Sequence, residues 1–245
     1  YTQAFAIAGQ ILALVSAKLC TSQSSNLLIF NPSGFAYDLP LELDLSYANY
    51  QFISNGKVLK TQLFADKVVV GLNQEIAPYS WLNLEYMQAT LQPTEEIKGL
   101  VLENDLVRYS FAANGQIIEA YDKEQQFKFL TSGNQLNLYI DRPSNWDAWD
   151  VDYDYEEMLV QTLSANSASQ VQRGEVLSSL EFSYQFSNSS FNQKISLAHN
   201  SKLLNFKNTA NWHEKHKMLR AAFKTNLHGA SASFDIQYGY VQRPT

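Results

Sequence analysis

From Asn26 to the end of the chain, apolar residues recur at every second position in short runs, and turn residues break the runs apart. That alternation restricts the chain to half-buried strands. The runs are "LLIFN", "LPLELDL", "KVLKTQLF", "KVVVGL" and "WLNLEYMQA", separated by Pro-Ser-Gly, Ser-Asn-Gly and Pro-Tyr-Ser. Further on, "VLENDLVRYSF" and "QIIEAYD" flank Asn114-Gly115, the strongest short hairpin signal in the sequence. "LEFSYQFSN" sets Phe182, Tyr184 and Phe186 against Ser and Gln, "SFNQKISLAH" repeats the style, and "LLNFKNTANWHEKHKMLRAAFKTNL" and "SFDIQYGYVQ" close the chain. Strands without interleaved helices predict antiparallel sandwiches, so the expected class is mainly β. One stretch departs from the pattern. Ile7, Ile11, Leu14, Val15 and Leu19 fall at helical spacing and predict a single amphipathic helix over residues 3–20. The polar Gln-Pro-Thr-Glu-Glu stretch within residues 90–96 is the best candidate boundary between two β units.

Composition narrows the function classes. The 245 residues carry 18 basic and 24 acidic side chains, a net charge of −6 that would repel a phosphate backbone, so nucleic acid is not an expected partner. Cys20 is the lone cysteine, which excludes an internal disulfide and a cysteine metal site and suits a reducing, cytoplasmic compartment. The first apolar run, "AFAIAGQILALVSAKLC", lacks a preceding basic stretch and is too short to span a bilayer, so no membrane is expected. The chain begins at Tyr1 without an initiator Met and ends just after Pro244, which reads as an excised piece of something longer.

The segment "NWDAWDVDYDYEE", residues 145–157, packs two Trp, two Tyr and six carboxylates into one loop. Indole faces stack on sugar rings, and carboxylates accept hydrogen bonds from sugar hydroxyls. A calcium site is a second reading. Asp150, Asp152 and Asp154 imitate half of a calcium loop, but Tyr155 stands where a Gly is needed and Gln161 where a Glu is needed. A third reading makes the loop structural, with its Trp residues plugging the sandwich and its carboxylates solvated. His213-Glu-Lys-His216 imitates a zinc protease motif, but its His residues are three apart rather than four, in a strand-like context. The expectation there is a half-exposed strand with His and Lys outward and Trp212 inward. No phosphate loop and no nucleophile elbow is found. Paired carboxylates for glycoside hydrolysis could come from the acidic loop, but sequence does not set their separation.

Five segments occur in an order that resembles α-mannosidases of glycoside hydrolase family 38, in the branch of bacterial and cytosolic enzymes. They are "LLIFNPSGF", "VLENDLVRYSFAANGQIIEAYDKE", "NQLNLYIDRPSNWDAWDVDYDYEE", "NWHEKHKMLRAAF" and "YGYVQRPT", and the resemblance covers nearly the whole chain. It implies that residues 1–24 are the last helix of a helical bundle, 25–92 a small β domain, and 93–245 a large β-sandwich domain. Family members are retaining exo-α-mannosidases with an Asp nucleophile and a zinc or other divalent cation, and those residues lie in a catalytic barrel upstream of Tyr1. The motif ending Gln242-Arg243-Pro244-Thr245 normally continues into a His and a further β segment, so the large sandwich is expected to be truncated.

The resulting expectation is the β-sandwich region of an α-mannosidase acting on mannose-containing glycans, with the catalytic barrel as its partner. By itself the chain is expected to be inactive and to hold no metal. Trp146, Asp147, Trp149 and Asp150 are the residues expected nearest the substrate pocket, with Arg243 a further candidate. Trp149 would stack a sugar ring, and Asp147 or Asp150 would accept hydroxyl hydrogen bonds. The apolar stripe of the first helix is expected to seek a second copy of the chain. An independent carbohydrate-binding module and a purely structural sandwich are the alternatives.

Overall fold

The computed structural model describes residues 1–19, 26–147 and 149–245; the Leu19 side chain and Cys20, part of the expected helix and its stripe, lie outside the described residues. Strand accounts for 51% of the chain and helix for 10%, which makes it mainly β. Every pairing between the named strands is antiparallel. The chain divides into two compact units, Tyr1–Thr94 and Glu95–Thr245.

The first unit opens with α1 (Thr2–Leu19), which follows from an Ala-rich, proline-free sequence and ends with Lys18 complementing the helix dipole. Every described residue from Tyr1 to Lys18 is exposed. Its strands are β1 (Asn26–Phe30), β2 (Leu41–Leu43), β3 (Tyr50–Ser54), β4 (Lys57–Val58), β5 (Thr61–Leu63), β6 (Val68–Val70) and β7 (Trp81–Gln88). They form a four-stranded sheet, β1-β7-β3-β4, and a three-stranded sheet, β2-β6-β5. Phe52, Val68, Val70 and Leu84, all fully buried, fill the space shared by these sheets. "LPLELDL", read as one strand, instead breaks after Leu43 into a 3₁₀ turn, because the Asp44 carboxylate accepts the Ser46 N–H at 2.8 Å and caps it. The Asn-Pro-Ser-Gly-Phe motif is explained by Asn31. Its buried side chain donates to the carbonyls of Phe35, Ile76 and Ala77 at 2.7, 2.9 and 3.1 Å and accepts from the Ser33 backbone at 3.1 Å.

The second unit holds β8 (Glu95–Ile97), β9 (Val101–Glu103), β10 (Val107–Phe111), β11 (Ile117–Asp122), β12 (Phe127–Ile140), β13 (Leu159–Thr162), β14 (Ser167–Ala168), β15 (Val171–Arg173), β16 (Leu177–Phe186), β17 (Ser189–Ala198), β18 (Leu204–Asn211), β19 (Lys217–Thr225), β20 (Ser231–Ile236) and β21 (Gly239–Pro244). One six-stranded sheet runs β13-β12-β11-β10-β9 with β19 also on β12, and the other runs β18-β17-β16-β15-β8 with β14 also on β16. Leu102, Ile117, Leu136 and Leu138 from the first sheet meet Leu180, Phe182, Tyr184 and Ile195 from the second in one apolar core. Phe182, Tyr184 and Phe186, the alternating aromatics, are buried as their period predicts.

The Asn114-Gly115 signal is realised as the β10–β11 turn: Gly115 has a φ of 90° and donates to the Ala112 carbonyl at 3.0 Å. The strand that organises this unit is β12. Over its fourteen residues it pairs with β11 along Phe127–Gly133, with β13 along Asn137–Tyr139, and with β19 from Leu130 to Ile140. Because Ile140 pairs with Lys217, the chain leaving β12 and the chain entering β19 start side by side. That register brings Asp141, just past β12, against His216, just before β19, with the Asp141 N–H donating to the His216 carbonyl.

The His213–His216 stretch is not a strand. It is the connection between β18 and β19, and Trp212, expected inward, is 37% exposed while packing edge-on against Phe186 at 5.7 Å. Ser189 Oγ pins the connection by accepting the His213 N–H at 2.8 Å and donating to the Glu214 carboxylate at 2.8 Å. These bonds replace the ladder that a strand would have used.

Candidate functional site

The acidic aromatic segment forms the connection from β12 to β13, residues 141–158. Its tip is a tight turn in which the Trp146 carbonyl accepts the N–H groups of Trp149 and Asp150 at 2.8 and 3.0 Å. Trp146 takes a φ of 58°, a left-handed conformation uncommon for so bulky a residue. The Asp152 carboxylate closes the base of the turn by accepting from Ser144 N and Ser144 Oγ, both at 3.1 Å. Asp150 accepts the Val151 N–H at 2.9 Å. Two of the loop's carboxylates are therefore engaged by groups of the loop itself.

What the turn presents is aromatic. Trp146 is 77% exposed and Trp149 is 92% exposed, so neither is the core plug of the structural reading. The same turn contributes Asp147 to a cleft of about 360 Å³ that is also lined by Asp141, Lys215, His216 and Lys217. Asp147 and His216 face each other with Oδ2 3.9 Å from Nδ1, and the Asp141 N–H donates to the His216 carbonyl at 2.9 Å. His216 has a φ of 52°, and this residue ends the β18–β19 connection where β19 starts. Two carboxylates, an imidazole and two ammonium groups beside exposed indoles can accept from and donate to a polyhydroxylated ligand.

Four of the five expected site residues, Trp146, Asp147, Trp149 and Asp150, thus share one turn. Arg243 does not join them in any described contact. It lies on β21, in a two-stranded ladder with β20, with its guanidinium 5.7 Å from the Phe234 ring. Conversely, Asp141, Lys215, His216 and Lys217 enter the site through the β12–β19 register. The sequence flags His216 as part of a failed zinc motif and gives no sign of the strand pairing that brings it to Asp147. A second cleft of about 330 Å³, at the opposite end of the strands, is lined by Glu103, Lys123, Arg173 and His199 among others but has no aromatic face.

The metal implied by the family resemblance finds no fit in these residues. Among the described residues no three His, Cys, Asp or Glu side chains converge as a metal would require.

The chain is 36% identical to human alpha-mannosidase 2C1 over 158 residues, 62% of this chain and 15% of that protein. It is 25% identical to alpha-mannosidase G of Dictyostelium discoideum over 247 residues, 92% of this chain and 22% of that protein. The chain thus spans less than a quarter of the length of either relative. Residues 102–245, nearly all of the second unit, match the family described as glycosyl hydrolases family 38 C-terminal domain, and the chain belongs to that family.

Proposed function

We propose that this chain is the accessory β region of a retaining, metal-dependent exo-α-mannosidase of the bacterial and cytosolic branch. In this reading the enzyme removes terminal α-mannosyl residues, and its nucleophile and metal ligands lie in a catalytic barrel outside the chain. Residues 1–24, 25–92 and 93–245 would be a bundle helix, a small β domain and a large sandwich. The aromatic turn would line the substrate pocket: Trp149 stacks a mannose ring, while Asp147 and Asp150 take its hydroxyls. Arg243 belongs to the same proposal. A cytoplasmic location rests on the single cysteine.

The observation that carries the reading is the pair of exposed indoles held on a hydrogen-bonded turn whose Asp147 lines a polar cleft. Indoles this exposed gain little from burial within the described residues, and a contact with a sugar ring would give them a use.

In the full-length polypeptide, Trp149→Ala is expected to lower kcat/KM by roughly tenfold to more than a hundredfold, the equivalent of about 1.4–3 kcal/mol. The melting temperature should stay put, because a side chain this exposed leaves no cavity. Asp147→Asn, nearly isosteric, should weaken activity in the same direction. Unchanged kinetics in both variants would overturn the pocket reading. Residues 1–245 alone should neither hydrolyse an aryl α-mannoside nor retain stoichiometric zinc. The same exposed indoles also suit an independent carbohydrate-binding module, and calorimetric titration of the chain alone with mannose and mannobiose separates the two, since a module must bind unaided.

A further inference from the structure

The aromatic turn is held at its near end by Asp152 and Ser144, and its far end leads to Tyr155 and Glu156. Tyr155 does not enter the core. Its ring stands edge-on to Tyr139 at 5.4 Å, and the Arg220 guanidinium lies 4.5 Å from its centroid. The Tyr155 hydroxyl donates to Glu156 Oε1 at 2.7 Å, and Arg220 Nη1 lies 3.9 Å from that same oxygen. Arg220 on β19 pairs with Asn137, and Met218 pairs with Tyr139, so Arg220 and Tyr139 are diagonal neighbours on one face of the sheet. Tyr155 spans the two.

We propose that Arg220 is a positioning residue that fixes the 144–157 loop, and with it Trp146 and Trp149, by stacking on Tyr155 and pairing with Glu156. This inference rests on the reading of the loop as a glycan contact. Guanidinium suits the task better than ammonium because a planar, multi-donor cation can sit over a ring and still offer an N–H toward a neighbouring carboxylate. The strand, not the loop, supplies it, so the anchor belongs to the rigid sheet.

The test uses the full-length polypeptide. Arg220→Ala should speed limited proteolysis within residues 144–157 by roughly threefold to tenfold, the range of an exposed cation–π contact with a weak ion pair. It should lower kcat/KM for an aryl α-mannoside by a similar factor with the melting temperature unchanged, and Arg220→Lys should fall between it and the parent. Because Arg220 acts through the indoles, its effect on kcat/KM should vanish in a Trp149→Ala background. A proteolysis rate equal to the parent's, or a drop that persists undiminished beside Trp149→Ala, overturns the proposal. Faster loop cleavage with unaltered kinetics in both Arg220→Ala and Trp149→Ala keeps the anchor and overturns the glycan contact instead.

Discussion

Tyr184 carries a hydroxyl into the core of the second unit, where it is 1% exposed and finds no hydrogen-bond partner among the described residues. Burying an unpartnered hydroxyl costs free energy that the ring's apolar contacts must offset. Tyr184→Phe should therefore keep the stability of the parent or raise it by up to about 1 kcal/mol, against the loss expected when a bonded tyrosine is trimmed. Chemical denaturation decides the sign, and a loss of more than about 1 kcal/mol would show that the hydroxyl is bonded after all. The residue beneath it is equally constrained. A Cβ on Gly115 would lie 1.9 Å from the Tyr184 hydroxyl oxygen and 2.9 Å from Cζ, and its φ of 90° is strained for any L side chain. Gly115→Ala should cost about 1–3 kcal/mol from the backbone alone, with overlap in addition. Adding Tyr184→Phe should recover part of the overlap and none of the backbone strain.

At the scale of elements, the most local signals were the most legible. Asn114-Gly115 is a turn because only a residue without Cβ fits its φ, and Phe182, Tyr184 and Phe186 face inward because strand side chains alternate. Neither fact needs a distant partner. The Trp pair was only half legible: the sequence singled out the segment but left open whether its indoles plug the sandwich, and their exposure, 77% for Trp146 and 92% for Trp149, is known from the fold alone. His216 and Arg220 could not be singled out, because each enters the site through the pairing of β12 with a strand some eighty residues away in sequence, and alternation fixes a face but not a partner. Trp212 misled for a related reason: it follows a strand-like run, but Ser189 bonds the chain out of the ladder there. The helix α1 was legible as a helix, and its Phe5, Ile7, Ile11, Leu12 and Leu14 are each between 49% and 76% exposed. Covering each such side chain stabilises an assembly by roughly 1.5–3 kcal/mol. The purified chain should therefore associate, and removal of residues 1–22 should leave a monomer by light scattering. A monomer before the deletion would remove the basis for this expectation.

For the molecule as a whole, its response to alkaline pH follows chiefly from two buried phenols, with Tyr37 in the first unit raised in the same direction by burial and by the Glu42 and Asp38 charges. Burial pushes the Tyr184 hydroxyl up to about 12, and burial together with the Asp122 charge pushes Tyr109 up to about 12. Both lie in the second unit, Tyr109 donating to the Lys202 carbonyl at 2.7 Å. In the unfolded chain each phenol ionises near its ordinary value of about 10. Between about pH 10 and 12 the unfolded chain has therefore lost protons that the folded chain still holds, and unfolding gains driving force as pH rises. The stabilisation is fully present below about 10 and is lost on the way to 12, on the order of 2–3 kcal/mol for each tyrosine. Lys202 adds to the same trend, since its hydrogen bonds to Asp122 and Glu124 raise its pKa and that contribution also fades as the pH climbs. The free energy of unfolding, measured with urea at fixed ionic strength, should thus be level up to about pH 10 and fall steeply beyond it. Tyr184→Phe should make that slope clearly shallower without abolishing it, since Tyr109 and Tyr37 still contribute. Tyrosinate absorbance should appear late in the folded chain and together with loss of structure. A stability that stays level through this range, or a slope that Tyr184→Phe leaves unchanged, would mean that these phenols ionise without opening the sandwich.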